Sequence, residues 1–141
     1  MNELVKVSEN MLRSCLGAKA GEVVLVVVDD PQSVIGCAIY TAAIHLGCEG
    51  IVMVMKEREV SGQEPPKVIA DAMKGADIVV APTAKSLTHT NARIEAAAAG
   101  TRVATMPGIT EKMFLEGAMT ADYEKGEALT EKITDRLREA E

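Results

Sequence analysis

Apolar residues recur at helical spacing from the start of the chain. Leu4, Met11, Leu12, Cys15 and Leu16 fall on one face, and Gly17 stands where a left-handed C-terminal cap belongs. The spacing predicts a helix over 2–16. The pattern then changes. Val23-Val24-Leu25-Val26-Val27-Val28 is apolar without alternation and rich in β-branched residues, as a strand covered on both faces of a parallel sheet requires. Asp30-Pro31 reads as an N-cap followed by Pro at the first helical position. It opens a helix over 31–46 that ends at Gly47. That helix is apolar almost all round, and its small residues (Gly36, Cys37, Ala38, Ala42, Ala43) predict close packing on a sheet.

The same rhythm repeats. Strands are expected at 51–55, 78–81 and 102–106, and helices at 68–75 and 91–99, the latter ending before Gly100. Thr110 caps a further helix, with Ile109 and Phe114 as its hydrophobic staple. Alternating strands and short helices predict an α/β fold, a doubly wound, mainly parallel four-stranded sheet with helices on both faces. The first and third strands are the purest in Val and Ile, so they belong at the centre. This gives the flavodoxin-like order 2-1-3-4 and a ligand crevice at the switch point between strands one and three. Residues 1–119 form the α/β domain. Residues 120–141 are expected to be an edge or linker helix, because its only apolar stripe is Leu129, Ile133 and Leu137. The charged stretch 56–63 is expected to be a solvated crossover loop.

Composition narrows the chemistry. The 141 residues carry a net charge of −6 and 2% aromatic residues with no Trp. A nucleic-acid partner would need a basic face or stacking platforms, and the chain offers neither. No apolar run approaches the roughly 20 residues that span a bilayer. Residues 1–10 carry Glu3, Lys6 and Glu9 and do not read as a signal peptide. Cys15, Cys37 and Cys48 are odd in number and widely spaced, which points to reduced thiols in the cytoplasm, packed as small hydrophobes. His45 and His89 are the only histidines, and neither stands at a metal-ligand spacing.

Polar residues gather at the predicted switch point. Asp29 and Asp30 follow the first strand. As a pair they suit a hard cation, and the competing reading has Asp30 capping the helix with Asp29 solvated. Lys85, Ser86, Thr88, His89 and Thr90 follow the third strand. They can bind an anion at the next helix N-terminus, or they can cap that helix and satisfy loop carbonyls. His45 near a helix end answers the helix dipole.

Two families come into question. Leu25-Val26-Val27-Val28-Asp29-Asp30-Pro31 resembles the opening of a response-regulator receiver domain. However, Ala81-Pro82-Thr83 stands where such a domain keeps its phosphoacceptor Asp, and no fifth strand with a following Lys-Pro is present. The stretch KSLTHTNARIEAAAAGTRVATMPGIT, residues 85–110, resembles the N-terminal domain of the aminopeptidase T/aminopeptidase S family of metallopeptidases. The opening helix, the Val-rich strand and the helix after Pro31 follow that family as well. The resemblance implies the non-metal-binding domain of a dimeric, leucyl aminopeptidase-like enzyme that releases N-terminal amino acids from peptides. Its zinc or cobalt ions would be held by Glu, His and Asp of a C-terminal domain beyond this chain. No residue here matches one of those ligands. The fragment would be inactive alone, and would help wall the active site or assemble the dimer. Some proteins similar to this family are dihydroxypyridine dioxygenase-like iron enzymes.

Overall fold

The computed structural model describes residues 2–140, so Glu141 at the end of the expected last helix lies outside it. Four parallel strands, β1 (Val23–Asp29), β2 (Glu49–Met55), β3 (Ile78–Ala81) and β4 (Arg102–Thr105), form one sheet in the order β2-β1-β3-β4. The order argued from strand composition is the one found. β1 pairs with β2 along its whole length and with β3 from Val24 to Val26.

Side-chain alternation along β1 builds two cores. Val24, Val26 and Val28 point to one face, where they meet α1 (Glu3–Asn10), α2 (Ser33–His45) and α5 (Glu111–Leu115) through Leu4, Ile35, Ile39 and Phe114. Leu25 and Val27 point to the other face, under α3 (Lys67–Gly75) and α4 (Asn91–Ala98), against Ile69, Met73 and Ala96. Helices therefore cover both faces. The staple residues Ile109 and Phe114 are buried in the first core, and Thr110 caps α5 by accepting from the Met113 amide.

Several local details differ from the sequence expectation. The helix expected over 2–16 is α-helical only to Asn10 and continues as a π-helical turn over Met11–Cys15, closed by the Leu16 amide on the Met11 carbonyl. The wider turn accompanies full burial of the adjacent Met11 and Leu12. Gly17 then takes the left-handed conformation (φ 59°) as expected. Chain entry to α2 is a 3₁₀ turn, Asp30–Gln32, in which neither Asp29 nor Asp30 caps through its side chain. β2 begins two residues before the expected start, because Glu49 already joins the ladder opposite Val23. Cys15 and Cys37 are exposed, so only Cys48 is a buried hydrophobe.

The last helix, α6 (Tyr123–Glu139), follows a 3₁₀ turn over Gly117–Thr120 and is capped by Asp122. It has no buried residue, and Leu129, Ile133 and Leu137 are all exposed. Among the described residues, no helix is long and apolar enough to cross a membrane.

At the N-terminal edge of the sheet, Arg102 donates to the carbonyls of Leu16 and Gly17 and to Glu22 Oε1 at 2.5 Å. The Lys19 amide donates to the other Glu22 oxygen at 2.9 Å. The Arg102 hydrogen bond, followed by that of the Lys19 amide, holds the Glu22 carboxyl below the usual glutamate range. A carboxyl depressed in the folded state contributes stability above its unfolded pKa, and this contribution is lost as pH falls through the folded value. The melting temperature of the wild type should therefore fall more steeply below about pH 4.5 than that of Glu22→Gln. Parallel curves for the two proteins would show that the pair adds nothing.

Candidate functional site

The carboxyl ends of β1 and β3 diverge into loops on opposite faces, which is the geometric switch point of a doubly wound sheet. Asp29 is the last residue of β1 and is fully buried. Its Oδ2 accepts the Ala84 amide at 2.7 Å, tying β1 to the loop after β3. Its Oδ1 is buried and has no hydrogen-bond partner among the described residues. Asp30 is exposed. The expectation of a solvated Asp29 beside a capping Asp30 is thus overturned, because Asp29 turns inward to the loop and Asp30 outward. The pair does not converge, and among the described residues no group of three His, Cys, Asp or Glu is placed to hold a metal ion.

The loop after β3 is held by its own hydroxyls. Thr83 Oγ1 donates to the Lys85 carbonyl at 2.6 Å, and the Thr83 carbonyl accepts the Gly108 amide at 2.8 Å. Ser86 Oγ donates to Thr88 Oγ1 at 2.9 Å, and Thr88 Oγ1 lies 2.7 Å from Thr105 Oγ1 at the end of β4. Arg93 reaches back from α4 to donate through Nε to the Thr88 carbonyl at 2.7 Å. Thr90 is fully buried and caps α4 by accepting the Arg93 amide. Lys85 and Ser86 are half-buried, and His89 is exposed with no hydrogen bond among the described residues. Lys85, Ser86, Thr88, His89 and Thr90 therefore form one loop, with only Lys85 and His89 offering free polar ends.

Three contributors come from the stretch between β2 and α3. Glu64 places Oε1 2.6 Å from the Asn91 amide and Oε2 3.1 Å from the Ala92 amide. The first amides of α4 are thus met by a carboxylate of the chain itself, and the helix dipole favours this charge. Ser61 Oγ accepts the Ser86 amide at 3.1 Å, and the Gly62 amide donates to the Ser86 carbonyl at 2.9 Å. The 56–63 stretch is therefore a clasp on the site loop, and not a purely solvated crossover. His45 ends α2 as expected and also meets Glu9 at 2.8 Å, far from the switch point.

Neither a family model nor a curated protein sequence matches the chain. Solved structures do. One is 2,5-dihydroxypyridine dioxygenase from Pseudomonas putida KT2440, with a TM-score of 0.62 and 17% identity over 76% of this chain. Another is wild-type AmpT from Thermus thermophilus, with a TM-score of 0.51 and 14% identity over 74% of this chain. The match covers 35% of each of those chains, so this chain spans about a third of their length. At such identities the likeness establishes a shared α/β fold and nothing finer.

Proposed function

We propose that the chain is the non-metal-binding α/β domain of a larger metal-dependent aminopeptidase. In this reading the loop of Lys85–Thr90 walls the site in which a peptide is held. The observation that supports it best is the coincidence of two independent features. The stretch that resembles the aminopeptidase T/aminopeptidase S family, 85–110, is also the stretch that Asp29, Glu64, Ser61 and Arg93 fasten at the switch point. An elaborate set of cross-chain ties on a surface loop suits a loop that must present fixed side chains. The metal, zinc or cobalt, and the bond-breaking step belong to a catalytic domain outside these residues. That domain is the first partner of this one, and a homodimer the second. A second reading, the matching domain of a dihydroxypyridine dioxygenase-like iron enzyme, is favoured by the higher TM-score of that neighbour.

The reading of the reading frame past the codon for Glu141 tests both. The proposal expects a downstream cluster of Glu, His and Asp. It further expects the longer protein, loaded with zinc or cobalt, to hydrolyse Leu-p-nitroanilide, with the 141-residue chain inert. A stop codon at that point overturns it. Oxygen uptake on 2,5-dihydroxypyridine by the iron-loaded longer protein would select the second reading.

The loop itself can be probed in the 141-residue chain. Because Glu64 already meets the α4 amides and Ser86 Oγ already donates to Thr88, an anion such as a peptide carboxylate would be held by the side chains of Lys85 and His89. Sulfate should raise the melting temperature by mass action. His89→Ala should weaken this response while leaving the baseline stability unchanged, since His89 is exposed. Loss of baseline stability with an unaltered sulfate response would make the loop a structural cap only.

A further inference from the structure

We infer that the outer edge of β2 is a self-association surface. Two copies would pair β2 against β2 in antiparallel fashion about a two-fold axis midway between their Val52 residues, joining their sheets into one. This inference does not depend on the enzymatic reading.

The two edges of the sheet are treated differently. β4 is four residues long and opens on Arg102, whose guanidinium is fastened to Glu22. β2 is seven residues long, fully laddered to β1 on its inner side, and carries no charged side chain from Gly50 to Met55. Natural edges are blunted by short length, charge, Pro or bulges, and from Gly50 to Met55 β2 has no charge, Pro or bulge. Its apolar residues are exposed on both faces of the sheet, Ile51 at 43% on one and Val54 at 57% on the other. Tyr40 and Ile44 of α2 continue the patch. They lie against Gly50 so closely that a Cβ there would stand 2.9 Å from the Tyr40 ring and 3.1 Å from Ile44.

A second copy fits this edge in one register. A two-fold axis normal to the sheet pairs only residues that share a face, so it must pass midway between the two copies of one residue. Centred on Val52, it sets Gly50 opposite Val54 of the second copy. The smallest side chain then faces the most exposed one, with Tyr40 and Ile44 beside it. Ile51 meets Met53, and Glu49 comes to the end of the neighbouring strand where Lys56 leaves the sheet, twice by symmetry. Centring on Met53 would set Glu49 against Glu57 at both ends, and like charges directly opposite are unfavourable. Centring on Ile51 would oppose Val54 to Cys48, which is already buried.

Sedimentation of the chain over a concentration series tests this. The wild type is expected to pass from monomer to dimer, with the amides of β2 gaining hydrogen-exchange protection in the dimer. Val54→Lys, at an exposed position, should keep the circular dichroism of the wild type and weaken dimerisation by roughly tenfold or more, since two lysines enter each interface. Ile133→Lys, on the exposed stripe of α6, should leave the dimer intact. A wild type that stays monomeric, or a dimer that survives Val54→Lys, overturns the inference. A dimer abolished by Ile133→Lys alone does the same, by moving the contact to α6.

Discussion

Gly36→Val is expected to destabilise the domain by about 1–3 kcal/mol or more, the usual cost of overpacking a core. Gly36 is the point at which α2 sits on β1. A Cβ placed there would stand 2.9 Å from Val28 Cγ1 and 3.3 Å from Val28 Cγ2. Val28 cannot give way easily, because it is fully buried, β-branched and held in the same core as Ile35 and Ile39. The helix must then lift from the sheet, which loosens contacts along its length. Gly36→Ala should cost less than Val, because the gain in helix propensity partly offsets the clash. Gly126→Ala is the control. It lies within α6 with nothing within 4 Å of its added methyl, and should stabilise by up to about 1 kcal/mol. Urea midpoints of the three variants read this directly. A Gly36→Val midpoint equal to that of the wild type would show that α2 is not seated so closely.

What could be seen in the sequence was whatever one segment decides by itself. The Val-rich β1 is buried on both faces, so its composition alone placed it at the centre, and β3 followed by the same logic. Thr90 and Thr110 each cap the helix that follows by accepting from an amide three residues on, a range at which sequence speaks clearly. The gathering of Lys85–Thr90 at the switch point followed from strand order. Ties between distant segments left no local trace. Glu64 meets the amides of Asn91 and Ala92 from the far side of α3, and nothing in the Glu-Pro-Pro run announces it. Thr105 joins the hydroxyl chain only because β4 lies beside β3. The Asp29-Asp30 pair departs from its local pattern for the same reason. Local capping chemistry pointed to Asp30 as the structural residue, but the Ala84 amide, 55 residues away, claims Asp29.

Asp29 is also where the second large effect is expected. Its carboxylate is fully buried and makes one hydrogen bond, to the Ala84 amide, with Oδ1 left over. Asp29→Ala removes the tie between β1 and the site loop, and a hydrogen bond to a charged acceptor contributes about 1.5–3 kcal/mol. The expected result is a loss of that size, with faster hydrogen exchange at Ala84 and its neighbours in the loop. Asp29→Asn separates the two oxygens. Its amide oxygen can still accept from Ala84, and the NH₂ group that takes the place of Oδ1 removes the buried charge but needs an acceptor of its own. One unpartnered buried group is thereby exchanged for another while the Ala84 bond is kept, so Asn should lie within about 1 kcal/mol of the wild type. The order expected in chemical denaturation is therefore Asn close to Asp, and Ala well below both. If Asn falls as far as Ala, keeping the Ala84 bond does not rescue stability, and the tie between β1 and the loop does not carry the effect. If Ala equals the wild type, the loop is held by Ser61, Glu64 and Arg93 without it, and the β1 tie does not fix the site.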